Sequence, residues 1–280
     1  MRFAMLGSGS RGNGTLVQAG ATTVLMDCGF MLRETEKRLR RLGVEPRAVD
    51  AVVVTHEHAD HIGGVARFAR KHRIPVWLSA GTRKAWKDGP VPRTHVFGPF
   101  EAFAIGDLLV QPFAVPHDAR EPCHYVFGDG THRVGTLSDA GSFTDAMREA
   151  LSGCDALMLE FNHDRAMLAA GPYPPPLQAR VGGPIGHLSN CQSAEFLRTL
   201  DCSRLRYLVL THLSEKNNTP ALALAAAQAA GIPVPSGCEI VCAHQDEGLA
   251  WRELGTSEGL PAGGALPLPA ARCSERETTQ

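Results

Sequence analysis

Long apolar runs are missing from this 280-residue chain, so no segment is expected to cross a membrane. The opening Met1–Ser10 stretch is too short an apolar run for a secretory leader, which makes the cytoplasm the expected location. Eight cysteines lie scattered at 28, 123, 154, 191, 202, 238, 242 and 273, without a single C-x-x-C pair. That scatter argues against a disulfide framework and for thiols used as small hydrophobes in a reducing compartment. Overall charge is also missing: the net value is −1. With 44% hydrophobic and 20% charged residues, the composition is that of an ordinary soluble globular protein, long enough for one large or two ordinary domains.

The near-zero charge hides an uneven distribution. Residues 1–100 hold 16 Lys and Arg against 8 Asp and Glu, or +8, and the remainder holds 12 against 21, or −9. Much of the basic excess falls in Arg33–Arg47 and Arg67–Arg73. Such asymmetry fits either a polyanionic partner or the wet faces of two helices.

The chain is organised around residues 51–64, A-V-V-V-T-H-E-H-A-D-H-I-G-G. Ala51–Val54 is a short, β-branched, continuously apolar run, as expected of a strand buried on both faces. His56, His58, Asp60 and His61 follow directly, four ligand-type side chains on one strand-end loop. Buried together without compensation they would be costly, and a metal is the natural compensation. Imidazole suits zinc, iron and manganese, and a carboxylate adds charge for a second cation.

The pattern H-x-H-x-D-H after an apolar strand resembles the metallo-β-lactamase-fold hydrolases. In that family the first two His bind one metal and the Asp-His pair a second. The resemblance requires further ligands downstream, each at a strand end.

In order, strands are expected at Arg2–Leu6, Thr15–Ala19 and Thr22–Met26. The Gly-rich loop Gly7–Gly14 joins the first two, and its glycines would let backbone N–H groups approach an anion or simply make a tight turn. An amphipathic helix over 33–42 ends at Gly43, and a second covers Ile62–His72. Further strands are expected at Pro75–Leu78, Leu108–Phe113, His124–Phe127, Arg133–Leu137, Ala156–Leu159 and Tyr207–Leu210. Ile240–Ala243 is expected to be the last. Short helices are expected near Arg83–Trp86 and over Phe143–Leu151, and the Pro-rich segment 171–176 reads as a stiff loop. A helix over Gln192–Leu200 is capped by Ser189 or Asn190, and a long one starts at Pro220 and stops at Gly231. His117 lies just past a strand, and so do Asp139, Glu160 and His212. A hydrolase domain is expected over 1–254, and 255–280 is expected to be disordered because it has almost no bulky apolar residues.

L-G-S-G-S-R-G-N, G-H-L-S-N at 186–190 and T-H-L-S at 211–214 resemble segments of the YycJ-like (WalJ-like) branch, and the last also resembles ribonuclease Z. The resemblance implies an α/β four-layer αβ/βα sandwich, the metallo-β-lactamase fold. It implies two divalent ions, Zn2+ or Mn2+: one on His56, His58 and His117, the other on Asp60, His61 and His212, with Asp139 between. Asp60 and His187 would be catalytic. Glu160, His163 and Asp164 would stand behind the ligands, orienting them or relaying protons, with a helix cap equally open for Asp164. Ser10, Asn13, Ser189, Asn190, Asn217 and Asn218 are candidates for contact with substrate.

The implied reaction is hydrolysis of a phosphodiester by a metal-bridging hydroxide, with DNA cut from a 5′ end. Alternatives are a small cyclic phosphodiester, a lactam or thioester, and a binding protein without activity. DNA is the expected partner, no membrane partner is expected, and assembly into a homo-oligomer is left open.

Overall fold

The computed structural model describes residues 1–98 and 101–255. β1 (Arg2–Gly7), β2 (Gly14–Ala19), β3 (Thr22–Met26), β4 (Ala51–Val53), β5 (Val76–Ser79) and β6 (Thr94–Phe97) build the first sheet. β7 (Phe103–Ile105), β8 (Leu108–Ala114), β9 (Cys123–Gly128), β10 (Arg133–Leu137), β11 (Ala156–Glu160), β12 (Tyr207–Thr211) and β13 (Glu239–Cys242) build the second, in sequential order. A fourteenth strand, β14 (Leu249–Glu253), returns to the first sheet and pairs antiparallel with β1. Ile240–Ala243 was therefore not the last strand. Only Leu249 of its five residues is buried, and the strand lies on a sheet edge, a weak apolar signal.

Both sheets are mixed. β3 to β6 run parallel, as do β10 to β13, while the remaining pairs are antiparallel. The parallel strands need crossovers, and these are the helices. α1 (Leu32–Arg41), α2 (Ala59–Ile62), α3 (Val65–His72) and α4 (Ala80–Ala85) belong to the first half. α5 (Asp145–Leu151), α6 (Arg165–Ala170), α7 (Pro175–Val181), α8 (Asn190–Arg198) and α9 (Pro220–Ala229) belong to the second. The segment expected as a plain Pro-rich loop thus flanks two short helices. Asp164 caps the first, and Pro175 occupies the opening turn of the other, where its missing N–H costs nothing.

Strand alternation explains the layering. In β4, Ala51 and Val53 point between the sheets while Val52 points to the helices. The cluster between the sheets contains Phe3, Val17, Tyr125, Phe127, Met158 and Val209. A second, under α1 and α3, contains Leu16, Leu39, Phe68 and Leu78. The third, under α5 and α8, contains Leu137, Leu157, Phe196 and Leu208. Three apolar seams between four layers make an αβ/βα sandwich, as the resemblance implied. No helix among the described residues is long and apolar enough to cross a membrane. Cys28, Cys123, Cys154 and Cys202 are buried free thiols, whereas Cys191 is exposed. The expected disordered tail lies, apart from Gly255, outside the described residues.

Candidate metal centre

Five chain segments deliver polar side chains to one end of the sandwich, each from the end of a strand. Thr55, His56 and His58 follow β4, and Asp60 and His61 sit on the single turn of α2. His117 follows β8, Asp139 follows β10, Glu160 ends β11 and His212 follows β12. Gly29 allows the loop after β3 to pack against α2, because a Cβ there would lie 1.7 Å from the carbonyl oxygen of Asp60.

Two groups form. One ring nitrogen each of His56, His58 and His117 lies within 4.8 Å of the others, with His58 Nδ1 3.1 Å from His117 Nε2. Asp60, His61, Asp139 and His212 form the second group. His61 Nε2 lies 3.4 Å from Asp60 and 3.2 Å from Asp139, and His212 Nε2 lies 3.5 Å from each carboxylate. The His56 and His61 rings, 4.2 Å apart, join the two groups.

Each imidazole is held by its other nitrogen. His56 Nδ1 meets Thr55 Oγ1 at 3.0 Å, His61 Nδ1 meets Asp27 at 2.7 Å, and His117 Nδ1 meets the Gly186 carbonyl at 3.2 Å. His212 Nδ1 meets Glu160 at 3.2 Å, while His58 turns Nε2 toward Asp118 at 3.7 Å. The remaining nitrogens therefore point inward, the arrangement by which outer partners orient metal-binding imidazoles. Asp27 was not anticipated from sequence; its carboxylate also accepts from the Thr55 N–H and hydroxyl, both at 2.9 Å.

Glu160 is fully buried and fully used. Its carboxylate accepts from the N–H groups of Asp139, Ala140 and Leu188 at 3.0–3.2 Å and contacts His187 Nδ1 at 2.9 Å. With its oxygens occupied it acts as a holder of two imidazoles. Asp27, Asp139 and His212 share a left-handed backbone, at φ of 60°, 55° and 54°. For non-glycine residues such conformations persist only where the surroundings impose them, and they cluster at functional sites.

Electrostatically the second group is short of positive charge. Burial alone would favour neutral His61, but Asp139, Asp60 and Asp27 outweigh it and raise its pKa well above the ordinary value. For His212 the same contest, against Asp139, Asp60 and Glu160, ends at about 10. Burial instead lowers His56 and His117, where imidazoles crowd one another. His56 Nε2 and His212 Nε2 are buried and hydrogen-bond to no described group. Inward imidazole nitrogens crowded beside buried carboxylates fit divalent cations.

The other expected site residues divide. Asn13 joins the centre, its Nδ2 3.1 Å from His61 Nε2 and 3.3 Å from Asp60, and Ser10 is exposed at its mouth. Asn190 and Asn218 instead exchange reciprocal amide bonds of 2.9 Å beneath the surface. Ser189 is buried in the capping box of α8, and Asn217 is buried on the Ser214 hydroxyl. All four side chains are buried, and those of Ser189, Asn190 and Asn218 bond within the fold. Asp164 caps α6, and His163 bonds Asn162; neither touches the two groups. Asn162 does what they were expected to do, donating to the His212 carbonyl at 2.9 Å. Ser8, also unanticipated, accepts from the His212 N–H at 2.8 Å.

Comparison with known proteins agrees with this architecture. Residues 22–213 match the beta-lactamase superfamily domain. The chain belongs to the metallo-β-lactamase-fold superfamily. Within it, the chain is 32% identical to exodeoxyribonuclease YycJ of Bacillus anthracis, over 80% of this chain and 86% of the relative. It is 33% identical to exodeoxyribonuclease WalJ of Streptococcus pneumoniae, over 79% and 85%. These relatives put it in the YycJ-like branch, and it is a hydrolase. Among solved structures, the metallo-β-lactamase-fold protein YhfI of Bacillus subtilis superposes with a TM-score of 0.68, covering 90% of this chain and 98% of its own at 19% identity.

Proposed function

We propose that this protein is a phosphodiesterase that holds two divalent cations, zinc or manganese, and removes nucleotides from the 5′ end of DNA. The observation that carries the reading is the pair of inward-facing donor groups, joined where the His56 and His61 rings stand 4.2 Å apart, with Asp139 between His61 and His212. The 32–33% identity to two exodeoxyribonucleases over four-fifths of the chain supports DNA as the substrate. When bound, two such cations draw negative charge off a phosphodiester and bring water near ionisation at neutral pH.

The chain's own residues have distinct tasks. His56, His58 and His117 would hold one cation, Asp60, His61 and His212 the other, with Asp139 shared between them. Asn13 keeps Asp60 and His61 in register. Glu160 braces His187, whose pKa is raised because this carboxylate and Asp139 outweigh burial. His187 stands beside the centre as the proton donor for the departing oxygen. Salt-steepened binding would accompany a polyanionic substrate.

A second reading, hydrolysis of a small cyclic diester, is favoured by the modest cavity of about 240 Å3 beside His187 and His212. The test compares 5′-labelled DNA, 3′-labelled DNA and bis(p-nitrophenyl) phosphate on metal-loaded protein. Release of label from the 5′ end is expected. Release from the 3′ end overturns the direction, turnover of only the small diester favours the second reading, and no turnover of any overturns both.

A further inference from the structure

Two cavities meet at the centre and differ in kind. One, of about 620 Å3, runs past Ser10, Phe30, Met31 and Asp60 to the side of α1. The other, of about 240 Å3, lies between His187 and His212 on one side and Tyr173, Leu177 and Arg180 on the other. They abut where Asp60 and His212 stand 3.5 Å apart, and Ser10 borders both.

The wall of the smaller cavity is stiff and braced. Pro172, Pro174, Pro175 and Pro176 restrict the backbone on both sides of Tyr173. Gln178 Nε2 donates to the Tyr173 carbonyl at 3.0 Å. Arg180 Nε donates to Asp118 at 2.6 Å, tying α7 to the loop that carries His117, and Asp118 N–H donates back to the Ile185 carbonyl at 3.1 Å. The terminal nitrogens of Arg180 hydrogen-bond to no described residue.

We infer that this smaller cavity is the subsite for the single terminal nucleotide of a DNA strand, with Tyr173 stacking on it and Arg180 binding its terminal phosphate. The inference rests on the nuclease reading above and adds to it the reason cutting begins at an end. At about 240 Å3 the cavity is less than half the size of its neighbour, which assigns the one terminal nucleotide to it and the continuing chain to the larger. A strand with its scissile phosphate at the centre must then leave through the larger cavity. An aromatic face takes any base without hydrogen-bond readout, which suits a sequence-tolerant exonuclease. A guanidinium fork with its terminal nitrogens available suits a phosphate monoester.

The test is calorimetric titration of the manganese-loaded protein with deoxyadenosine 5′-monophosphate and with deoxyadenosine. Wild type should bind the monophosphate at least tenfold more tightly than the nucleoside. Arg180→Ala should erase that difference, Tyr173→Ala should weaken both ligands, and Tyr173→Phe should restore binding. Thermal melting of each variant checks the fold. Equal affinities in wild type and both alanine variants would overturn the subsite, as would a wild type that degrades linear DNA without binding the nucleotide. A wild type that neither degrades DNA nor binds the nucleotide takes the functional reading down as well.

Discussion

Asp27 Oδ2 lies 2.7 Å from His61 Nδ1, with both residues almost wholly buried. This pair fixes which nitrogen His61 presents to the centre. Replacing Asp27 by Asn keeps the shape and removes the charge. Outer partners of this kind typically contribute about 10–100-fold to metal affinity. Asp27→Asn should therefore weaken zinc binding by about that factor in a chelator competition. An unchanged affinity would mean the pair serves folding alone.

Metal content follows from the two donor groups. About two divalent ions per chain are expected by elemental analysis of gently purified protein. Asp60→Ala removes a carboxylate that faces both His61 and His212, so content should fall toward one and diester hydrolysis should be abolished. Full content with normal turnover would exclude Asp60 from the centre.

His124, which is not among the donor groups, carries a pH prediction. It is buried, its Nδ1 meets Thr136 Oγ1 at 3.1 Å, and its Nε2 accepts from the Ser138 N–H at 3.1 Å. Burial pushes its pKa from 6.5 down to about 4. Between those values the unfolded chain takes a proton that the folded one refuses, so stability is full above pH 6.5 and falls as pH drops to about 4. Melting temperatures of wild type and His124→Gln across that window should show a shallower acid slope in the variant. Parallel slopes would assign the acid sensitivity elsewhere.

The basic helices are less uniform than their sequence. Arg41 donates to the carbonyls of Leu6 and Asp246, Arg70 to those of Asp88 and Pro90, and Lys71 pairs with Glu36 at 2.6 Å. Arg67 reaches Met31 at the rim of the larger cavity, and Arg33 is exposed nearby in sequence on α1. Arg33→Ala with Arg67→Ala should raise the apparent KM on DNA and lower the salt slope by about one per lost phosphate contact. Arg40→Ala with Lys71→Ala should do neither. Identical salt slopes in all three proteins would remove these helices from the DNA path.

Much of the centre was legible because its ligands follow strands that are themselves legible. His56, His58, Asp60 and His61 occupy one short loop after a β-branched apolar run, so local sequence carries them. His117 and His212 also follow legible strands, and parallel strands deliver their carboxyl ends to one edge of a sheet, whereas Asp139 before Ala140-Gly141 rests mainly on the resemblance. Tertiary structure decided the rest. Asp27 meets His61, and Glu160 meets His187 and His212, only because the sheets bring strands from distant parts of the chain together. The reciprocal amide bonds of Asn190 and Asn218 likewise arise only in the packed structure. β14 and the Tyr173–Arg180 wall left little trace in the sequence, because their roles come from what they pack against: β1 for the strand, and the loop carrying His117 for the wall.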